Sequence, residues 1–307
     1  MSIPKFPEFA PISFEMQPAL HPDLALLPDG ISELTFANLY LFRHTYGYRV
    51  TSLTDEHLGI SGSKEGKRFF MLPCGLPEDK GIVRELFECH DYLKGLAERF
   101  ADSSRVTLER MGYSVHEDRD NFDYLYLRSA LEALPGRKYH KKRNLIRAFM
   151  NNYDYAEYPI RKADSEKALR VLDRWTEQRE DAGDYQAARE ALLYMRDLKL
   201  SGYLVEVDGD PAAYTLGEPV AKGRSFAVHF EKAIGDYKGI YQFINRAFAA
   251  VLPKHYVYIN REQDLGDPGM RQAKMTYRPS GFVKKYIVTK PEAAAAEQAT
   301  RESTTFA

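Results

Sequence analysis

Cysteine is scarce in this chain: Cys74 and Cys89 are the only two among 307 residues. Two thiols cannot build a disulfide framework, and no His, Cys, Asp and Glu group has metal-ligand spacing, so neither a disulfide scaffold nor a bound metal is expected. Long apolar runs are missing as well. No stretch reaches the roughly 18 to 20 apolar residues that cross a bilayer, and the opening MSIPKFPEFAPISF lacks the basic-then-apolar order of a secretory signal. Charge of one sign is not in excess either: 43 Lys and Arg face 44 Asp and Glu, for a formal net charge of −1. A polyanionic partner must therefore meet a local patch rather than the whole surface. No serine or cysteine stands in a triad pattern with a histidine and an acid. The expected setting is the reducing cytoplasm.

What the chain does have is length for two domains and an ample aromatic content, 21 Tyr and 17 Phe. After a Pro-rich, irregular start up to about residue 30, a helix is expected near Glu33 to Tyr46, then strands at 48–53, 57–61 and 68–73. A helix over Ile82 to Phe100 and strands at 105–109 and 122–127 follow. The second half repeats the order. Helices at 165–180 and 185–200 precede strands at 202–207, 212–217 and 224–231, the first two joined by an Asp208-Gly209 hairpin turn. A helix over Gly239 to Leu252 carries Ile240, Phe243, Ile244, Ala247, Phe248 and Val251 on one face. A strand, a short helix and a last strand close the chain. No residue-level repeat is visible, only the same run of elements twice, which argues for an α/β (α+β) protein of two similar lobes. The expected division is residues 1–134, a connector at 135–155, a second lobe at 156–290 and a disordered, Ala- and Thr-rich tail at 291–307.

The connector is strongly basic. After the Pro135-Gly136 turn come Arg137, Lys138, His140, Lys141, Lys142, Arg143 and Arg147, with no acid before Asp154. Leu145, Ile146, Phe149 and Met150 supply an apolar stripe, so the segment reads as a basic amphipathic helix. It is either a solvated connecting helix or a contact for phosphate groups of a nucleic acid or of lipid headgroups at a membrane surface, where clustered cations release counterions together.

Polar chemistry gathers between His255 and Val288. Tyr256 to Ile259 alternates like a strand and runs into Asn260, Arg261, Glu262, Gln263 and Asp264. Asp267 and Pro268 then read as the N-cap and first position of a short helix presenting Arg271, Lys274 and Arg278, the last two sharing a face. Ligands of open α/β sheets bind beyond the carboxyl ends of strands, which is where this acidic run and basic helix lie.

The motifs FANLYLFRHTYGYRV, GRKYHKKRNLIRAF, AAYTLGE, VHFEKAIGDYKGIYQFINRAFA and YINREQDLGDPGMRQAKMTYRP together resemble the bacterial proteins grouped with the C-terminal catalytic domain of phosphatidylglycerol lysyltransferase. The resemblance covers most of residues 30–288. It implies two tandem acetyltransferase-like (GNAT-type) lobes, mixed sheets flanked by helices, related also to the peptidoglycan-bridge aminoacyltransferases. It further implies a charged tRNA as donor, no metal and no cofactor, with the basic helix turned toward the tRNA and Lys274 near the substrate beside Arg278. The lysyltransferase's membrane-spanning half has no counterpart here, so the acceptor is open: an amine or hydroxyl on a lipid headgroup, a peptide, a protein terminus or a small molecule.

Aminoacyl transfer passes through a tetrahedral oxyanion and needs donors for it and an acceptor for the nucleophile's proton. The expected catalytic set is Lys274, Arg278, Glu262 and Asp264. Asn260, Arg261, Glu231, Arg271 and Tyr277 are the expected substrate contacts, and Arg137, Lys138, Lys141, Lys142 and Arg143 the expected nucleic-acid contacts. The alternative for Glu262 and Asp264 is a structural ion network with Arg261 and Arg271. Acetyl-CoA is the second candidate donor. The turn that would seat its pyrophosphate, Gly235-Asp236-Tyr237-Lys238-Gly239, places an acid where the phosphates would lie. A binding module without turnover is the third reading. His229, alternating with Phe226, Val228 and Phe230, reads as a packed histidine rather than a base, and Trp175 as packing.

Overall fold

The computed structural model describes residues 3–180 and 183–291. Its strands form two seven-stranded sheets. From edge to edge, the first runs β1 (Ala10–Pro11), β2 (Arg49–Ser52), β3 (Leu58–Lys64), β4 (Lys67–Met71), β5 (Tyr92–Ala97), β14 (Lys285–Thr289) and β6 (Ser114–Glu117). The second runs β13 (Gly281–Val283), β7 (Asp123–Leu127), β12 (Tyr258–Asn260), β11 (Ser225–Ala233), β10 (Asp210–Val220), β9 (Ser201–Val207) and β8 (Tyr155–Pro159). Helices α1 (Gln17–Ala25), α2 (Phe36–Leu41), α3 (Arg43–Tyr46), α4 (Lys80–Cys89), α5 (Glu98–Arg110) and α6 (Arg128–Ala133) precede the connector. The connector itself is α7 (His140–Asn152), followed by α8 (Ser165–Glu177), α9 (Tyr185–Leu193), α10 (Ile240–Val251) and α11 (Pro268–Met275).

The sheets do not divide at residue 134, because they exchange strands. β7 leaves the first half of the chain to pair with β12 and β13, and β14 returns from the C-terminal end to sit between β5 and β6. The single last strand expected to close the chain is therefore two, broken at Lys284 and shared between both sheets. Each lobe thus completes the other.

Other expectations fail as well. The helix expected over Ile82 to Phe100 stops at Cys89, and residues 92–97 are β5. Leu93, Lys94, Gly95, Leu96 and Ala97 are all buried, so the strand shows no alternation that could separate it from a helix. The strand expected at residues 105–109 lies inside α5, where tertiary placement overrides the β-branched Val106 and Thr107. The helix near Glu33 to Tyr46 breaks at Phe42 into α2 and α3, and α1 occupies part of the start expected to be irregular. The tail from 292 onward lies outside the described residues. The hairpin turn forms as expected, with Asp208 at φ 53° and Gly209 at φ 84°, the left-handed pair a two-residue primed turn requires.

A continuous apolar core joins the lobes. Phe36, Leu39 and Leu41 of α2 bury with Ala188 and Leu192 of α9 and Leu216 of β10, and Phe42 stacks on Phe230 with ring centroids 6.3 Å apart. On the far side, α7 packs on the start of α10. A Cβ on Gly239, at φ 91°, would fall 2.2 Å from the Leu145 carbonyl oxygen, so only glycine allows that approach.

Candidate active site between the lobes

Among the described residues each sheet contains one parallel strand pair, and both pairs are short. β11 and β12 stay in register only from Ser225/Tyr258 to Ala227/Asn260, and β4 and β5 only over Phe69/Tyr92 and Phe70/Leu93. Beyond those points the strands diverge. The residues that follow on the diverging strands, Lys94 in one lobe and Arg261 and Glu262 in the other, line one cavity of about 310 Å³. Glu33, Asn38, Phe42, Tyr46 and Lys64 complete one wall, and Asp184, His229, Glu231, Lys232 and Lys274 the other. This volume lies at the lower end of the roughly 300–1,000 Å³ of small-ligand sites.

Glu262 is the most distinctive group in it. Its backbone is left-handed, φ 55°, a conformation that strains a residue with a long side chain and recurs at functional sites. The strain is held by neighbours on both sides. Asn260 Oδ1 accepts from the Glu262 amide at 2.8 Å, while Asn260 Nδ2 donates to the Gly30 carbonyl and to Asp123. Glu262 Oε1 accepts from His229 Nδ1 at 2.7 Å, and His229 Nε2 reaches Glu218 Oε1 at 3.0 Å. Burial works against a charge on His229, but the two carboxylates outweigh it and hold its pKa at about 10. Burial also raises the Glu262 carboxyl, with His229 pulling the other way. Only Oε1 is engaged. Among the described residues no donor lies within hydrogen-bond distance of Oε2.

Lys274 lines the same cavity but its hydrogens are committed. Nζ donates to the carbonyl oxygens of Arg261 at 2.6 Å, Glu262 at 3.0 Å and Gln263 at 2.5 Å. An ammonium has three N–H donors, and all three clamp this loop. Burial brings its pKa down to about 8, against the pull of Glu262. Arg261 is freer: it lines the cavity, and among the described residues its side chain makes one hydrogen bond, from Nη2 to Glu231 at 2.6 Å.

The other expected residues fall elsewhere. Asp264 is fully buried and does not line the cavity. Its carboxylate accepts from Arg271 Nε and Nη2 at 2.8 and 2.7 Å, from Tyr124 Oη at 2.5 Å and from the Gly266 amide. Burial opposes that carboxylate's charge, yet Arg271 and Tyr124 prevail and hold its pKa well below the ordinary range. Here the ion-network alternative describes the geometry, with Arg271 the partner; Glu262 pairs instead with His229. Arg278 is exposed at φ 55° beyond the end of α11, outside the cavity lining. Tyr277 is buried and accepts, through its carbonyl, from Tyr139 Oη.

The connector separates into two sets. Arg137, Lys138, Lys141 and Arg147 are exposed. Lys142 instead lies 3.5 Å from the Tyr277 ring centroid and donates to Thr276 Oγ1, with burial lowering its pKa to about 8. Arg143 donates to the carbonyls of Leu134 and Gly136. These two fasten α7 to its surroundings, Lys142 to the end of α11 and Arg143 to the preceding turn.

Sequence reasoning missed much of the opposite wall. His229, expected to be merely packed, is buried but links two carboxylates at the cavity. Lys94, hidden in the misassigned helix, and Glu33 belong to a buried cluster. There Lys285 donates to Glu33 and, at 2.7 Å, to Asp123, and Asp123 also accepts from Ser32. The signal that could have found them is a single lysine in an otherwise apolar YLKGLA run and another opening KYIV, since a buried lysine demands partners.

No helix among the described residues is long and apolar enough to cross a membrane. Residues 24–289 match the family described as "Phosphatidylglycerol lysyltransferase, C-terminal". A conserved protein of unknown function from Bacteroides thetaiotaomicron, solved by crystallography, is 31% identical, with TM-score 0.81 over 92% of this chain and 99% of that one. The C-terminal domain of a putative lysylphosphatidylglycerol synthetase from Agrobacterium fabrum has the same fold at 14% identity, with TM-score 0.63 over 95% of this chain and 96% of that one. An uncharacterized protein of Mycoplasmoides gallisepticum is 26% identical over 184 residues, an alignment spanning 57% of each chain and so little more than half of that relative. The paired mixed sheets flanked by helices are the α/β arrangement that the motifs implied.

Proposed function

This chain belongs to the phosphatidylglycerol lysyltransferase C-terminal family, and from that premise we propose that it is an acyltransferase moving an aminoacyl group from a charged tRNA to an amine or hydroxyl acceptor. The observation that carries the reading is the free Oε2 of Glu262, facing a cavity lined by charges of both signs, with its other oxygen fixed by a histidine between two acids. Such a carboxylate can hold a substrate ammonium and take its proton.

In this scheme Glu262 removes a proton from the acceptor nucleophile as it attacks the ester carbonyl. The tetrahedral oxyanion accepts from the free N–H groups of Arg261. Collapse then breaks the ester C–O bond, and Glu262 returns the proton to the departing ribose hydroxyl. Lys274 acts as a positioning residue, holding the 261–263 loop through its three carbonyls. Exposed Arg137, Lys138, Lys141 and Arg147 supply the patch for the tRNA backbone.

Acetyl-CoA as donor has less support. Around the turn before α10, the Gly235 amide donates to Gln178, Lys238 to Tyr153 Oη and Ile240 to the Tyr237 carbonyl, so these donors are taken within the protein. The test is to incubate the purified full chain with charged tRNA and candidate acceptors and follow loss of the ester. Acceptor-dependent deacylation with a new aminoacylated product is expected. Stabilisation and turnover by acetyl-CoA, with charged tRNA inert, would replace this reading.

A further inference from the structure

Lys94 is a buried cation, 6% exposed, that nothing in the proposed chemistry uses. It follows the last β4–β5 pair, where the strands part, and lines the cavity on the wall contributed by the first lobe. Among the described residues its one salt-bridge partner is Glu33, at 3.7 Å, beyond hydrogen-bond length. Glu33 already accepts from Lys285. The rings of Tyr46 and Phe69 lie 5.6 and 5.4 Å from Lys94 Nζ, and Lys285, Asp118 and Lys64 act on it only through their charge, without a hydrogen bond. A buried ammonium without a hydrogen-bond acceptor is costly, and an anion entering the cavity would relieve it.

The second lobe contributes the opposite character, through the free oxygen of Glu262. Tyr46, whose ring faces Lys94, lines the same cavity as Glu33 and Glu262. The remaining cations of the second-lobe wall each have at least one carboxylate or carbonyl partner, Arg261 through Nη2 alone. Lys232 donates to both oxygens of Asp184, Arg261 to Glu231 and Lys274 to the three loop carbonyls.

We infer that the acceptor is a small zwitterion, its ammonium received at Glu262 and its carboxylate at Lys94. The substrate class is thus a free amino acid or the C-terminal residue of a short peptide, rather than the neutral glycerol of a lipid headgroup. The inference rests on the aminoacyl-transfer reading for its chemistry, but its binding test does not need the tRNA.

The experiment is calorimetric titration of the full chain with L-lysine, the dipeptide alanyl-lysine and the C-terminal amide of each. The amides should bind at least about tenfold more weakly than the acids, a difference of roughly 1.4 kcal/mol, and Lys94→Met should abolish that preference. Tighter binding of the dipeptide assigns a peptide terminus, and tighter binding of lysine a free amino acid. Equal affinity of acid and amide for the unmodified chain, no binding of any probe, or a preference that survives in Lys94→Met overturns the inference. The comparison on the unmodified chain decides alone if the variant fails to fold. Ester transfer onto glycerol-headgroup vesicles with amino acids inert would also overturn it while leaving the aminoacyl-transfer reading intact. Carboxylate-dependent binding with no ester consumption by any acceptor would do the reverse.

Discussion

His229 Nδ1 and Glu262 Oε1 stand 2.7 Å apart, although 33 residues separate them and they come from strands that have just ceased to pair. The contact ties a buried imidazole to the one acidic side chain whose backbone is left-handed in the cavity loop. With Glu218 on the other nitrogen, a carboxylate faces each ring nitrogen, and the pair favours the protonated imidazole.

Glu262→Gln keeps the shape of the side chain and removes its basicity. Turnover with charged tRNA should fall about 10²- to 10⁴-fold, the range for loss of a positioned proton acceptor. Thermal melting will show whether the fold persists. Retention of activity within about threefold would remove Glu262 from the proton path.

The pH dependence of stability follows from His229. Its pKa rises from 6.5 unfolded to about 10 folded, so the folded chain holds the proton more tightly. The stabilisation is complete below pH 6.5 and is lost as pH climbs toward 10, by at most roughly 1.4 kcal/mol per pH unit from this one group. Histidine-selective NMR should find the ring still doubly protonated at pH 8. Glu218→Gln, which withdraws one acceptor, should shift that titration downward.

Lys274 gives a different signature. Lys274→Met leaves three loop carbonyls without donors and should lower kcat while melting changes modestly. A purely structural role would not produce a pH effect, so the alkaline limb decides. In the unmodified chain, activity should decline as the ammonium, with a pKa of about 8, loses its proton. Lys274→Arg, which stays charged, should move that limb upward in whatever turnover it retains. An unchanged profile would return Lys274 to a packing role.

The two sets of cations on α7 should behave oppositely. Alanine at Arg137, Lys138, Lys141 and Arg147 should weaken tRNA binding and flatten the plot of log affinity against log salt by about 0.7 to 0.9 for each phosphate no longer neutralised. Lys142→Met should cost stability, because it ends the contact with Tyr277 and Thr276, and should alter the salt slope little. Filter binding across a salt series, together with melting curves, measures both.

How much of this is legible in the sequence varies by element. The α10 stripe, the Asp208-Gly209 turn and the Asp267-Pro268 helix start can be read directly, because each depends on neighbours within a few residues. The loop from Asn260 to Asp264 can be located for the same reason, yet the roles within it cannot. Glu262 and Asp264 are two positions apart and chemically similar. One meets His229 beside the cavity, and the other is sealed among Arg271, Tyr124 and Arg119.

Local chemistry in the chain determined two lobes of helices and mixed strands, a cationic connecting helix and the stretch where polar side chains collect. Tertiary structure alone decided that β7 and β14 trade sheets, that Lys94 and Glu262 look into one hollow and that Lys274 spends its protons on backbone carbonyls. The reason is physical. Periodicity, capping and turn propensity act over a few residues, whereas strand pairing and charge compensation act between segments more than a hundred residues apart, and no local pattern encodes which buried charge will find which partner.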